Sequence, residues 1–133
     1  MALTNQRILF VDDDQDSREL IHLLLDDDEN IYDLTTASTA RDALELIASQ
    51  SFDLYILDYL LFDSTGIELC RRIRLTDLRT PILFFTGMAR SLDRATAMAA
   101  GASDYLVKPN DLDRLQETTK RLLGRSSPLT IGV

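Results

Sequence analysis

Five short apolar segments alternate with five helix-like segments along this chain, and this alternation limits the fold more than any other feature. The apolar segments have the length of β-strands and cover residues 7–11, 32–36, 53–57, 82–85 and 105–107. Each apolar segment is followed by a segment in which apolar residues recur at helical spacing. These helix-like segments cover residues 17–25, 39–47, 67–73, 92–100 and 111–123. The pattern predicts an α/β fold with a parallel sheet, helices on both faces and right-handed crossovers.

Size, charge and cysteine content narrow the class of protein. A chain of 133 residues with 45% hydrophobic and 27% charged residues is typical of one soluble domain. It shows no secretory signal and no apolar run long enough to span a membrane, and its single Cys70 excludes an internal disulfide. We therefore expect a cytoplasmic protein that does not act at a membrane. The net charge of −8 argues against direct binding of nucleic acid. We expect a domain over 1–123, followed by a linker-like or disordered tail over 124–133.

Polar residues follow four of the predicted strands. Asp12 and Asp13 come after the first, Asp58 after the third, Thr86 after the fourth and Lys108 after the fifth. The carboxyl ends of parallel strands meet at one edge of the sheet, where ligands bind in such folds. Acids, a hydroxyl and an amine gathered there would suit phosphoryl transfer. Three carboxylates repel one another, so the site should need a divalent cation, and oxygen ligands favour Mg²⁺ or a similar hard ion such as Mn²⁺.

The acidic triplet after the first strand has other interpretations. Standing alone, it would favour an exposed helix start, where acids accept the free amide hydrogens. The alternation of Asp12, Asp14 and Asp16 also resembles the opening of a calcium-binding EF-hand loop, but Ser17 and Leu23 replace the glycine and glutamate that such a loop needs. A haloacid-dehalogenase-type phosphatase, with Asp12 as nucleophile, is a further alternative, although it normally needs a larger chain.

Together, four segments resemble the receiver domain of two-component response regulators, similar to the chemotaxis response regulator, over residues 7–123. The segments are Ile-Leu-Phe-Val-Asp-Asp over 8–13, Asp-Leu-Tyr-Ile-Leu-Asp over 53–58, Pro-Ile-Leu-Phe-Phe-Thr-Gly over 81–87 and Gly-Ala-Ser-Asp-Tyr-Leu-Val-Lys-Pro over 101–109. The resemblance implies a doubly wound (βα)5, flavodoxin-like, three-layer sandwich with strand order 2-1-3-4-5. It implies a signalling phosphoacceptor rather than an enzyme, catalysing only its own phosphorylation and dephosphorylation.

The resemblance also assigns a role to each residue of the acidic site. Asp58 would be the phosphoacceptor, attacking the phosphorus of a partner's phosphohistidine. Asp13, Asp58 and the backbone carbonyl of Leu60 would bind Mg²⁺ directly, and Asp12 would reach the metal through water.

The remaining polar residues would serve the phosphoryl group and the switch. Lys108 would pair with the phosphoryl group, and its bond to Pro109 would be cis. Thr86 would donate its hydroxyl to that group, and Tyr105 would move inward as Thr86 moved, changing the face formed by helix four, strand five and helix five. Gly87 would leave room beside the backbone.

The implied partners are signalling proteins. A histidine kinase or a histidine-phosphotransfer protein would supply the phosphoryl group, and a downstream output domain or protein would read the switched face, which would also serve for homodimerisation. An alternative is a degenerate receiver that acts as an interaction module without phosphorylation. The intact set of acids, Thr86 and Lys108 counts against that alternative.

The chain departs from the family pattern near the acidic site. Phe62 stands where a proline usually follows the phosphoacceptor by four residues, and Asn110 replaces a hydrophobic residue after Lys-Pro. Leu60 and Met88 occupy positions that flank the route of an attacking water, and both are apolar. We therefore expect a comparatively long-lived phosphorylated state.

Overall fold

The computed structural model describes residues 5–26 and 31–126, which contain five strands and five α-helices in alternating order. The strands are β1 Gln6–Val11, β2 Tyr32–Ala37, β3 Leu54–Leu57, β4 Ile82–Thr86 and β5 Asp104–Val107. The helices are α1 Gln15–Leu25, α2 Ala40–Ser49, α3 Gly66–Arg74, α4 Ser91–Ala100 and α5 Leu115–Ser126. The predicted alternation is therefore confirmed.

All strand pairs are parallel, in the order β2-β1-β3-β4-β5, which confirms the predicted topology. The register brings the carboxyl ends of the three central strands to one edge of the sheet, where β4 extends two residues beyond the end of β3. Val11 lies beside Leu57, and Leu57 lies beside Phe84. The residues that follow these strands consequently emerge at one edge of the sheet, as sequence spacing alone predicted.

Two apolar layers sandwich the sheet, because successive strand residues point to opposite faces. One layer packs α2, α3 and α4 against residues such as Leu9 and Leu57, and the other packs α1 and α5 against Ile8 and Ile56. These four strand residues are fully buried, and each burial contributes about 1.5–3 kcal/mol to folding. The central strands therefore form a rigid base for the residues at their ends.

Local side-chain caps start the helices close to the predicted positions. The Asp14 carboxylate accepts the Ser17 amide at the start of α1, and Thr39 and Thr65 cap α2 and α3 in the same manner. Gly101 ends α4 with φ 116°, a left-handed conformation that favours glycine. One acid of the triplet therefore does cap a helix, whereas the other two lie elsewhere.

The last helix differs from the prediction of one helix over 111–123. A short 3-10 turn, Leu112–Arg114, precedes α5, because the amide of Val107 donates to the Asp111 carboxylate while the Asp111 amide donates to the Val107 carbonyl. This turn delays the helix to Leu115. The helix also includes residues 124–126, which the sequence assigned to the tail, and the rest of that tail lies outside the described residues.

None of the helices in the described ranges is long and apolar enough to cross a membrane.

Candidate functional site

Three carboxylates meet at the carboxyl edge of the sheet. Oxygen atoms of Asp12, Asp13 and Asp58 lie within 4.8 Å of one another, with Asp12 buried, Asp13 exposed and Asp58 between these extremes. The cluster offers hard oxygen ligands, which suit Mg²⁺ or Mn²⁺. The donor set therefore fits the metal that the sequence predicted, and it has an exposed side from which an ion could enter.

Asp12 is held from several directions. Its backbone amide donates to the Ala37 carbonyl at 3.1 Å, its carboxylate accepts the Asp14 amide at 2.9 Å, and its carbonyl accepts the Arg18 guanidinium at 2.8 Å. A buried carboxylate needs such partners to offset the cost of leaving water. These contacts therefore hold the Asp12 side chain in a fixed position at the cluster.

Asp58 begins the loop between β3 and α3 and is largely buried, with 17% of its side chain exposed. Burial is the main cause that raises the pKa of Asp58, and the charge of Asp12 adds to it. A hydrogen bond from the Thr86 hydroxyl, the charge of Lys108 and the Tyr59 amide at 2.7 Å act in the opposite direction. The Asp58 carboxylate thus lies where neighbouring groups can stabilise both its own negative charge and the charge of an incoming phosphoryl group.

Lys108 supplies the cation of the site. Its ammonium lies 2.6 Å from Asp12 Oδ2 and 3.7 Å from Asp58 Oδ2, and it also lies 5.3 Å from the centre of the Phe85 ring. The peptide bond between Lys108 and Pro109 is cis. The Lys108 amide donates to the Thr86 carbonyl at 2.8 Å, so β4 and β5 fix the two residues relative to each other.

Thr86 and Tyr105 connect the cluster to β5. Thr86 is buried, and its hydroxyl accepts the Met88 amide at 3.3 Å besides contacting Asp58. Tyr105 is buried too, and its hydroxyl donates to the Met88 carbonyl at 2.6 Å. Burial raises the pKa of Tyr105 to about 12, so this hydroxyl keeps its proton at neutral pH.

An aromatic stack, which the sequence did not predict, extends from the loop after Asp58 to β5. The rings of Phe84 and Tyr105 are stacked with centroids 5.8 Å apart, and Tyr59 meets Phe84 edge-on at 6.0 Å. Phe84 was predicted only as part of a buried strand. Its inward ring was missed because strand patterning gives burial but no cross-strand partner.

Gly66 is a second residue that the sequence reasoning missed. A Cβ atom at this position would lie 2.0 Å from the Asp58 carbonyl oxygen and 2.9 Å from the Phe84 ring, so the backbone approach requires glycine. The Gly66 amide donates to the Tyr59 carbonyl at 2.7 Å. A glycine at the first residue of a helix, straight after the Thr65 cap, was the available signal.

Comparison with known proteins shows the family to which the chain belongs. The model of the response regulator receiver domain matches residues 8–120, and the chain belongs to this family. It is 39% identical over 122 residues to the response regulator MprA of Mycolicibacterium vanbaalenii, covering 92% of this chain and 52% of that protein. It is 37% identical over 127 residues to the response regulator protein PilR of Pseudomonas aeruginosa, covering 95% of this chain and 28% of that protein.

Solved structures of the same class share the fold. A CheY-like response regulator receiver domain protein from Methanospirillum hungatei superposes with a TM-score of 0.83 and 28% identity, covering 92% of this chain and 97% of that one. The chain spans about half the length of MprA and of several other regulators that it matches. It is thus a response regulator receiver domain of a two-component system.

Proposed function

We propose that this receiver domain takes a phosphoryl group onto Asp58 from a histidine kinase or a histidine-phosphotransfer protein. The observation that carries the proposal is the position of Asp58, whose carboxylate lies between the acids Asp12 and Asp13, the Lys108 ammonium and the Thr86 hydroxyl. In the proposed step, a carboxylate oxygen of Asp58 forms a bond to phosphorus as the P–N bond of the donor's phosphohistidine breaks. The electron pair of that bond returns to the imidazole nitrogen, which can then take a proton.

Two residues near Asp58 would stabilise the transferring phosphoryl group in this step. Lys108 is 3.7 Å from the Asp58 oxygen and offers its charge to the transferring oxygens as a compact cation. Thr86, whose hydroxyl lies near enough to Asp58 to lower the pKa of that carboxyl, would offer this hydroxyl to the same group. The ion pair with Asp12 holds the Lys108 ammonium beside Asp58 before the reaction, so its charge is already in place when negative charge develops.

The acidic cluster is the proposed Mg²⁺ site. Asp13, Asp58 and the Leu60 carbonyl would hold the ion directly and Asp12 would hold it through water. When bound, the ion neutralises negative charge on the transferring phosphoryl oxygens. The Lys108 ammonium lies closer to Asp12 than to Asp58. Its charge would therefore neutralise the buried Asp12 carboxylate whenever the ion is not bound.

The output of the proposed reaction is a change at the face formed by α4, β5 and α5. A phosphoryl group on Asp58 would draw the Thr86 hydroxyl toward it. The Met88 amide would lose its 3.3 Å partner, in the same segment to which the Tyr105 hydroxyl is bonded. We propose that an output domain or protein, or a second copy of this chain, reads this face. The net charge of −8 speaks against nucleic acid as its direct ligand.

The relatives suggest how the domain is used. The chain matches about half the length of MprA and 28% of PilR, which supports a receiver that is joined to an output domain through residues that follow α5. We place the phosphotransfer in the cytoplasm, where the free buried Cys70 would stay reduced.

The test is intact mass after incubation with acetyl phosphate. We expect one added phosphoryl group with Mg²⁺, and none without Mg²⁺ or in Asp58→Asn. Asp13→Asn should lower the yield strongly, whereas Asp14→Asn, whose side chain caps α1 outside the cluster, is the matched control and should react as the wild type does. No added mass, including with a phosphohistidine donor, would favour a receiver that acts without phosphorylation.

A further inference from the structure

The loop between β3 and α3 is a narrow turn that carries the Leu60 carbonyl. Its two arms are joined by the Gly66 amide on the Tyr59 carbonyl, by a bridge between Leu60 and Thr65, and by the Leu61 amide on the Ser64 carbonyl at 3.1 Å. The remaining two residues, 62 and 63, form the tip. A turn closed only on itself can still pivot about its base, so its position depends on what anchors the tip.

The carboxylate of Asp63 anchors the tip to a different element. One of its oxygens accepts the Ala40 amide at 2.9 Å, and the other accepts the Arg41 amide at 3.0 Å. These are the first two amides of α2, which have no carbonyl partner within their own helix. The hydrogen bond from Ala40 is the largest cause that lowers the pKa of Asp63, as expected for an anion at the positive end of a helix.

The neighbouring side chains could not replace this anchor. The Thr39 hydroxyl already serves the next amide of α2, that of Asp42, at 3.0 Å. Phe62, the other tip residue, is 86% exposed and contributes little packing. Leu61 is buried in the core layer and holds the arm next to Leu60, but it leaves the tip free to turn.

We propose that Asp63 is a positioning residue for the metal site, because it fixes the loop that carries the Leu60 carbonyl, which would hold the ion together with Asp13 and Asp58. The inference rests on the proposed function, because it assumes that the cluster binds Mg²⁺. Asp63 does not touch the ion or the phosphoryl group. It acts through the loop. Because Asp63 accepts the first two amides of α2, a well-ordered start of α2 would also keep the metal site ordered.

The test compares Asp63→Ala with Asp42→Ala. Both remove one carboxylate near the start of α2, but the Asp42 side chain lies on the helix itself and does not bridge to the loop. Magnesium is titrated against tyrosine fluorescence, which is usable because the chain contains no tryptophan, at a temperature where circular dichroism shows each variant folded. For Asp63→Ala we expect a dissociation constant raised about tenfold, at the lower end of the effect of residues that orient metal ligands. Asp42→Ala should stay within about twofold of the wild type.

Two further readouts separate positioning from general damage. Amide exchange should accelerate at Leu61, Ala40 and Arg41 in Asp63→Ala while the central strands keep their protection. Phosphorylation by acetyl phosphate should return to near the wild-type rate once Mg²⁺ is saturating, since only the metal affinity is impaired. Should Asp63→Ala fold poorly, Asp63→Asn, which keeps one acceptor oxygen, should show an intermediate dissociation constant.

The proposal is overturned if Asp63→Ala and Asp42→Ala bind Mg²⁺ with equal affinity, or if the weaker binding persists only where the protein is partly unfolded. A wild type that binds no Mg²⁺ at millimolar concentration would overturn it as well. A wild type that binds Mg²⁺ but accepts no phosphoryl group on Asp58 would contradict the proposed function alone, because the titration measures the loop independently of transfer.

Discussion

Gly66 lies so close to the Asp58 backbone that the loss of stability caused by an alanine at position 66 can be calculated. In Gly66→Ala the new Cβ would lie 2.0 Å from the Asp58 carbonyl oxygen, a separation that real Cβ atoms essentially never show. The obstacle is backbone, so no rotamer change can relieve it, and either the loop or the start of α3 has to move. The new Cβ would also lie 2.9 Å from the Phe84 ring, so it cannot move toward that ring to relieve the contact.

The expected cost follows from these contacts. Overpacking of this kind costs about 3 kcal/mol at its upper end, whereas replacing glycine by alanine in a helix otherwise gains about 0.5–1 kcal/mol. The net loss is about 2 kcal/mol, which for a domain of this size lowers the melting temperature by about 8 °C. A displacement of Asp58 by about 1 Å would in addition slow phosphorylation by up to about a hundredfold.

Thermal unfolding followed by circular dichroism measures the first effect, and acetyl phosphate labelling measures the second. Gly124→Ala is the matched control, because a Cβ at this exposed position of α5 meets nothing within 4 Å. It should raise stability by about 0.5–1 kcal/mol. The reasoning is refuted if Gly66→Ala melts at or above the wild-type temperature, or if both variants respond alike.

Further predictions concern the switch, an acid-sensitive loop and the lifetime of the phosphorylated state. Tyr105→Phe removes the donor to the Met88 carbonyl and should cost about 1 kcal/mol in urea unfolding, so an unchanged midpoint would contradict that bond's role. Although burial opposes it, hydrogen bonds from Thr80 and neighbouring amides lower the pKa of Asp77 below 3.8, so its carboxylate stabilises the fold above that pH. The stability difference between wild type and Asp77→Asn should therefore be full near neutral pH and shrink as pH falls below about 4 through the folded-state pKa, and a constant difference in urea unfolding across this range would exclude it. Changing Leu60 and Met88 together to polar residues should shorten the half-life of the phosphorylated protein, measured by loss of mass; an unchanged half-life would disprove the water-access hypothesis.

The strands could be predicted because burial on both sides of a parallel sheet leaves an unbroken apolar run. Residues 8–11 and 54–57 are almost completely buried, and their sequences contain no polar residue except the Tyr55 hydroxyl. Asp58 and Thr86 could then be placed at one edge, since topology requires it. The general place of the site follows from this alone.

What the sequence could not reveal depends on contacts between distant parts of the chain. Asp63 reaches α2 across 22 and 23 residues, and its sequence neighbourhood looks like an ordinary polar turn. The partition of the acidic triplet was equally hidden, because Asp14 caps α1 while Asp12 turns inward to Lys108. Local propensity gives the helix start, but only the folded sheet decides which acid faces the cluster.

The start of α5 shows the same limit at shorter range. Helical spacing begins at Asp111, yet its carboxylate and amide both bond to Val107 and hold a turn there. The bond from the Val107 amide to the Asp111 carboxylate ties Asp111 to the end of β5 and so competes with a helix that would begin there. The helix therefore starts at Leu115, where apolar packing against the sheet takes over.

The most direct test of the account is the chemical identity and position of the phosphoryl group after transfer from a phosphohistidine donor. The labelled protein should carry a hydroxylamine-sensitive acyl phosphate, and peptide mapping should place it on Asp58. Both signals should vanish in Asp58→Asn and on removal of Mg²⁺. Label on a different residue, a hydroxylamine-resistant linkage, or undiminished transfer in Asp58→Asn would contradict the assignment of this site.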